Sequence, residues 1–262
     1  AHIPLIHGPD GAKLSKRHGA LGIAAYRDMG FLPEALRNYL LRLGWSHGDD
    51  EIISTEQAIA WFDLPAIGRG PARFDMAKLT SLNGHYMRMS DDDDLAARVR
   101  PFLERALDRP IDDAETARLR QAMPGLKERA KTLAELAQNA VFYFLKRPLV
   151  LDKKLTALMD DAARHHLAAL VALLQEAPNW DAASLEALVR DYAARAGLGL
   201  GKIAQPLRAA LTASSTSPGI FDVMAVLGRA ESVGRLQDQL ANADATPNIG
   251  RHRPDSAVKT AT

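Results

Sequence analysis

The sequence predicts a mainly α-helical protein, with a small α/β module at its amino-terminal end and an all-helical remainder. Three observations carry this prediction. A single short apolar run, Ala1 to Ile6, is the strand candidate of the opening segment. From Leu95 onward alanine and leucine recur at three- and four-residue spacing, so each segment has one apolar stripe to bury against its neighbours. The connections between those segments are short and built from Pro, Gly, Asp and Ser, as in packed helical assemblies, and no repeat of about 34 residues marks a solenoid.

Taken in order, Ala1 to Ile6 leads into a glycine-punctuated turn, Gly8-Pro9-Asp10-Gly11. A lone strand with no initiating methionine sets the expectation that the chain begins inside, or at the edge of, something larger. A short helix from Gly22 to Met29 is closed by Gly30, which readily takes a left-handed C-cap conformation. Pro33 suits the first turn of a second helix, with Leu36, Tyr39, Leu40 and Leu43 at packing positions before Gly44 ends it. Tyr26 and Trp45 are assigned to the core. Ser54-Thr55-Glu56-Gln57 reads as a capping box opening a helix through Trp61. After Gly68-Arg69-Gly70-Pro71, a helix from Phe74 to Leu82 is expected to be interrupted by Asn83-Gly84.

A boundary is placed near Arg88 to Ser90. Asp91 to Asp94 are read as carboxylates at a helix N-terminus, where free amides and the macrodipole favour them, and not as a metal cluster. Further helices are expected over Asp112–Met123, Pro124–Phe144, Asp152–Glu176, Ser184–Ala196, Lys202–Ala213, Ile220–Leu227 and Glu231–Asn242. Within them, Phe142-Tyr143-Phe144 point about 100° apart and are expected to be buried. His165 and His166 are expected at the surface or between helices. Residues 243–262 are small and polar, and a disordered tail is expected there.

The 262 residues carry a formal net charge of +1 and 47% hydrophobic residues, enough for a core and for two domains or more. Without cysteine, neither a disulfide framework nor a thiolate metal site is possible, and a reducing cytoplasm is the simplest expected location. The longest apolar candidate, Leu133 to Leu151, is broken by Glu135, Lys146, Arg147 and Pro148, so no membrane span is expected. Near-neutral charge argues against nonspecific coating of nucleic acid, but it leaves room for a reader with one basic face.

Lys13-Leu14-Ser15-Lys16-Arg17 sets two lysines around a hydroxyl, which suits a polyphosphate whose charge shifts between oxygens during transfer. Alone, such a loop reads more readily as a solvated turn. Its context changes that reading. The loop resembles the signature loop of class I aminoacyl-tRNA synthetases. Tyr26-Arg27 through Gly30-Phe31-Leu32-Pro33-Glu34-Ala35-Leu36, then Asn38-Tyr39-Leu40 and Leu43-Gly44-Trp45-Ser46, resemble the segment that follows it in bacterial glutamyl-tRNA synthetases. Phe74-Asp75 with Lys78-Leu79 and Leu82-Asn83, then Arg129-Ala130-Lys131-Thr132-Leu133, then Gln205-Pro206-Leu207-Arg208 with Ala210-Leu211-Thr212, are similar to the same family in the same order.

The resemblance implies a stem-contact module with the loop over residues 1–89, a helical anticodon-binding cage in two subdomains over 90–180 and 181–242, and the tail. It implies that Lys16 contacts ATP, with Lys13 and Ser15 in support. Lys78 and Asn83 are implied as residues on the RNA side of the stem-contact module. Arg129, Gln205, Arg208, Ser217 and Ile220 are implied in anticodon recognition, and the helix start after Pro218-Gly219 is read as welcoming phosphate. ATP and Mg²⁺ would serve the intact enzyme, none being bound by this chain alone, and no metal ligands are assigned. Expected partners are glutamate, ATP and tRNA(Glu), with tRNA(Gln) an open second, acting on a monomer away from membranes. The family's His-Ile-Gly-His motif is missing here, so the isolated chain is expected to be inactive. A stand-alone tRNA-binding module and a helical protein-interaction scaffold are the alternatives.

Overall fold

The computed structural model describes residues 5–14 and 21–241. Ser15 and Lys16 of the expected phosphate loop, Ala1–Pro4 of the expected strand and the expected tail lie outside the described residues.

Strand β1 (Ile6–His7) pairs in parallel with β2 (Ala72–Arg73), Ile6 opposite Ala72 and His7 opposite Arg73. Parallel pairing requires a crossover, and the connection here carries α1 (Ile23–Asp28), α2 (Pro33–Gly44) and α3 (Thr55–Trp61). Pro33 occupies the first turn of α2, and Ser54 and Gln57 close the capping box of α3 in both directions. Tyr26, Phe31, Leu36, Tyr39, Phe74 and Leu79 form a small core. Edge contacts between Tyr26 and Phe31 at 5.9 Å and between Tyr39 and Phe74 at 5.2 Å fit the ring quadrupoles. Trp45 is buried as expected, whereas Leu40 faces solvent because α2 buries the neighbouring face of Ala35, Leu36, Asn38 and Tyr39. Gly30 has φ +85°, and a Cβ there would stand 2.5 Å from the Ala134 amide nitrogen, so the turn after α1 lies directly against a later helix.

Helix α4 (Met76–Met89) runs straight through Asn83 and Gly84, contrary to the expected interruption. Glycine in a helix costs about 1 kcal/mol, but the Asn83 side chain is held by two tertiary hydrogen bonds, so packing overrides propensity.

The remaining helices are α5 (Asp92–Leu107), α6 (Asp113–Lys127), α7 (Leu133–Ala140), α8 (Lys153–Thr156), α9 (Asp161–Gln175), α10 (Ala182–Arg195), α11 (Leu200–Thr212), α12 (Ile220–Leu227) and α13 (Arg229–Ala241), with a 3-10 turn at Val141–Phe144. Asp91 accepts from the Asp93 and Asp94 amides, which accounts for the acidic run. Asp112, Thr132, Asp152, Asp160 and Asp181 cap their helices in the same way. Two expected helices are each two. Pro124 sits inside α6 and does not start a helix, and Thr132 begins α7 anew. Asp160 likewise restarts the chain after α8. Apolar periodicity continues across such breaks, so it does not reveal them.

Leu95, Leu119, Leu136, Leu170, Leu207 and Leu236 belong to one apolar core, which Leu32, Ala35 and Met87 join from the first module. Phe142, Tyr143 and Phe144 are buried in it, and burial pushes the Tyr143 phenol well above its usual value. His166 Nδ1 lies 2.9 Å from the Tyr192 hydroxyl, bridging α9 and α10. No described helix is long and apolar enough to cross a membrane.

Two carboxylates are held by paired guanidinium bonds, Glu115 within a local turn and Asp238 across 91 residues of chain. Arg109 donates to both oxygens of Glu115 at 2.7 and 2.8 Å, and Arg147 to both of Asp238 at 2.7 and 2.8 Å. The hydrogen bonds from these guanidinium groups hold both acids below their ordinary values. A depressed folded pKa adds stability that is present above the unfolded pKa, about 4, and is lost as pH falls through the folded value. The urea midpoint is therefore expected to fall as pH drops from about 5 towards 2. In the Glu115→Gln/Asp238→Asn double variant that acid limb is expected to be shallower, and an unchanged limb would place the titration elsewhere.

Candidate nucleic-acid interface

A cleft of about 470 Å³ opens between the end of α6 and α7 on one side and the α11–α12 turn on the other, with Arg129, Asn139, Phe142, Thr216, Ser217 and Pro218 among its walls. Helix α11 buries Ile203, Leu207, Ala210 and Leu211. Arg208 follows Leu207 by one position, is half-buried, and is aimed at the turn that closes the cleft. Its Nη1 donates to the carbonyls of Ser217 at 3.2 Å and Pro218 at 2.9 Å, and to the Ser217 hydroxyl. That hydroxyl in turn donates to the Pro218 carbonyl at 2.8 Å. Nε and Nη2 of Arg208 have no hydrogen-bond partner among the described residues.

Burial lowers the Arg208 pKa, and the like charge of Arg129 lowers it further. Arg208 thus stands behind the Ser217–Pro218 wall of the cleft, close enough to the exposed Arg129 on the cleft lining to feel its charge. Glu135 also lines the cleft, but its carboxylate accepts from the Lys131 amide at 2.8 Å. Asn139 donates to the Arg129 carbonyl at 3.4 Å and so steadies that residue's backbone. A planar guanidinium with free donors can stack on a splayed base and hydrogen-bond its edge.

The structure puts Arg129 and Ser217 on the lining of one cleft, with Arg208 bonded to Ser217 from behind, and disperses the others. Ile220 is 3% exposed and packs in the core, so its expected contact with a base is corrected: the first turn of α12 faces inward. The start of that helix is also not open to phosphate, because the Asp222 carboxylate lies over Gly219, 2.3 Å from where a Cβ would stand. Gln205 is exposed one turn before Arg208 but borders a separate depression of about 460 Å³ with Lys202 and His166. Lys78 is exposed on α4 and paired to Glu51 at 3.0 Å, in a shallow basin shared with Arg42, His85 and Arg88. Asn83 is fully buried, so its expected place on the RNA side is corrected: both ends of its amide are taken up by backbone. Lys13 is exposed, bridged to His7 beside β1; its companions Ser15 and Lys16 lie outside the described residues.

Sequence reading missed Arg235. It is 1% exposed and donates to the carbonyls of Leu211 at 2.7 Å, Phe142 at 2.9 Å and Leu145 at 3.3 Å, and to Glu231 at 2.7 Å. Phe142 and Leu145 line the cleft, so this buried guanidinium stands directly behind it. Its signal was the stripe of Ser232, Arg235, Leu236 and Gln239, a buried helix face that is largely polar.

A family profile described as "Anticodon binding domain" matches residues 94–240. A second, "tRNA synthetases class I (E and Q), catalytic domain", matches residues 1–81. Over 238 residues the chain is 61% identical to "Glutamate--tRNA ligase 2" of Rhodospirillum centenum, covering 91% of this chain and 51% of that protein. It is 61% identical over 244 residues to "Glutamate--tRNA ligase 1" of Beijerinckia indica, with 91% and 52% covered. A crystal structure of a glutamate tRNA ligase from Elizabethkingia meningosepticum superposes with a TM-score of 0.79 at 25% identity, over 92% of this chain and 51% of that one. The chain spans about half the length of the curated relatives it matches.

Proposed function

Since the chain belongs to the anticodon binding domain family over residues 94–240, we propose that it is the tRNA-reading part of a bacterial glutamate–tRNA ligase, joined to the end of that enzyme's catalytic domain. The observation that carries this reading is the cleft lined by Arg129 and Ser217, whose Ser217–Pro218 wall is held from behind by Arg208. The intact enzyme activates glutamate with ATP, releasing pyrophosphate and leaving a glutamyl adenylate. It then passes the glutamyl group to the terminal ribose of tRNA(Glu), releasing AMP.

In that scheme Lys13 and Lys16 neutralise the pyrophosphate side of ATP, with the Ser15 hydroxyl in support, and Mg²⁺ would add charge neutralisation on the phosphates. Arg129 and Arg208 meet the anticodon bases. Lys78 and its basic neighbours Arg42 and Arg88 lie along the RNA stem, and Gln205 serves the anticodon arm from the adjoining depression. Acceptance of tRNA(Gln) would turn on the third anticodon base, which faces Arg129. The enzyme acts as a monomer in the cytoplasm.

The test is direct binding of this chain to tRNA(Glu) and to the same RNA with a substituted anticodon, at two salt concentrations. Each phosphate contact adds about one unit to the slope of log affinity against log salt. Tighter binding to the intact anticodon, weakening with salt for both RNAs, is expected. Equal binding of the two RNAs by the folded chain would sink the reading.

A further inference from the structure

The segment from Lys127 to Leu133, which presents Arg129, is held by two ties to the amino-terminal module and by a third to the junction between α4 and α5. Asn83 on α4 donates from Nδ2 to the Lys131 carbonyl at 2.6 Å, while its Oδ1 accepts from the Leu32 amide at 2.7 Å. The Leu133 amide donates to the Gly30 carbonyl at 2.9 Å, at the point where Gly30 has no room for a Cβ. Lys127 donates to the Ser90 carbonyl at 3.0 Å and lies 2.7 Å from Asp92 Oδ1. Arg129 itself is exposed, and its neighbour Ala130 is buried.

We propose that this junction, with Asn83 at its centre, is a specificity-positioning device: it sets the Arg129 loop at a fixed place relative to the amino-terminal module, and so determines how sharply the anticodon is discriminated. The inference rests on the reading of function above and extends it to residues that touch no RNA. A single amide bonds the α1–α2 turn and the Arg129 loop at once, so displacing it moves the loop against the module that carries Lys13 and Lys78. An asparagine buried among three segments makes both of its bonds only when all three are in register. Arg208 lies on α11 behind the Ser217–Pro218 turn, outside the junction. Loosening the junction therefore changes the separation of the two guanidinium groups and leaves each of them present.

The experiment compares this chain with Asn83→Ser, Lys127→Met, Lys127→Arg and Arg129→Ala, reading the ratio of affinities for tRNA(Glu) and its third-anticodon-base variant by fluorescence anisotropy. Thermal melts identify the variants that are folded at the assay temperature. Loss of folded fraction weakens both RNAs alike and leaves the ratio unchanged. Movement of the loop lowers the ratio.

Asn83→Ser and Lys127→Met are expected to lower it about tenfold, the effect of one good hydrogen bond misplaced. Lys127→Arg, which keeps a donor and a charge, is expected to restore it. Folded Asn83→Ser and Lys127→Met chains with the wild-type ratio, beside an Arg129→Ala chain that has lost it, would overturn the junction proposal while leaving the functional reading in place. An Arg129→Ala chain with the wild-type ratio overturns the proposal as well. A wild-type chain that does not discriminate overturns the functional reading and the proposal with it.

Discussion

Arg235→Met is expected to destabilise the helical part of the chain by about 3 kcal/mol, roughly 1 kcal/mol for each main-chain carbonyl left without its donor. Methionine approximates the volume of the arginine stem, so cavity formation is not the main cost. The cost arises because Arg235 joins three segments, the 3-10 turn at Phe142, the chain just after it at Leu145 and the end of α11 at Leu211. Burial lowers the pKa of this guanidinium, while the Glu231 carboxylate opposes that shift. A buried charge whose partner is removed is destabilising, though Glu231 is partly exposed and can recover some hydration. Urea unfolding followed by far-UV circular dichroism reads the effect. A loss below about 1 kcal/mol would mean that water entering from the cleft satisfies the stranded carbonyls.

Arg208→Ala is expected to weaken binding to tRNA(Glu) by about 10- to 100-fold, the range for charge-assisted hydrogen bonds, and to reduce anticodon discrimination. Removing the guanidinium takes away a cation close to Arg129 and releases the Ser217–Pro218 wall of the cleft from Nη1. The turn keeps the bond from the Ser217 hydroxyl to the Pro218 carbonyl, so folding is affected less than binding. Arg208→Lys separates charge from geometry. An ammonium keeps the point charge, and with it the salt dependence, but lacks the planar fork needed to hold the turn and address a base edge together. Binding to intact and substituted RNAs by fluorescence anisotropy decides the matter: an Arg208→Ala chain that still discriminates as wild type removes Arg208 from base reading.

Much of the secondary structure was legible because its causes are local. Ser54 with Gln57, Asp91 before its acidic run, Pro33 at a first turn and Gly30 after α1 act within a few residues of themselves, and each appears where the sequence placed it. The errors share another cause. Asn83-Gly84 was read as a break and Pro124 as a start from local propensity, yet both lie within helices whose packing decides the outcome. Asn83 and Ile220 were placed towards RNA from motif position, and the structure buries them.

The sequence by itself determined the order of the helices, some of their caps and the family the chain resembles, since these rest on short-range backbone bonds and on motifs in register. Tertiary structure alone decided which side chains face the cleft and which face the core. Arg129, just beyond α6, comes near Arg208 on α11 because both helices pack into one core, and Arg235 is buried because three carbonyls from distant segments converge on it. A polar side chain's exposure depends on donors and acceptors supplied by distant parts of the chain, and only folding brings those together.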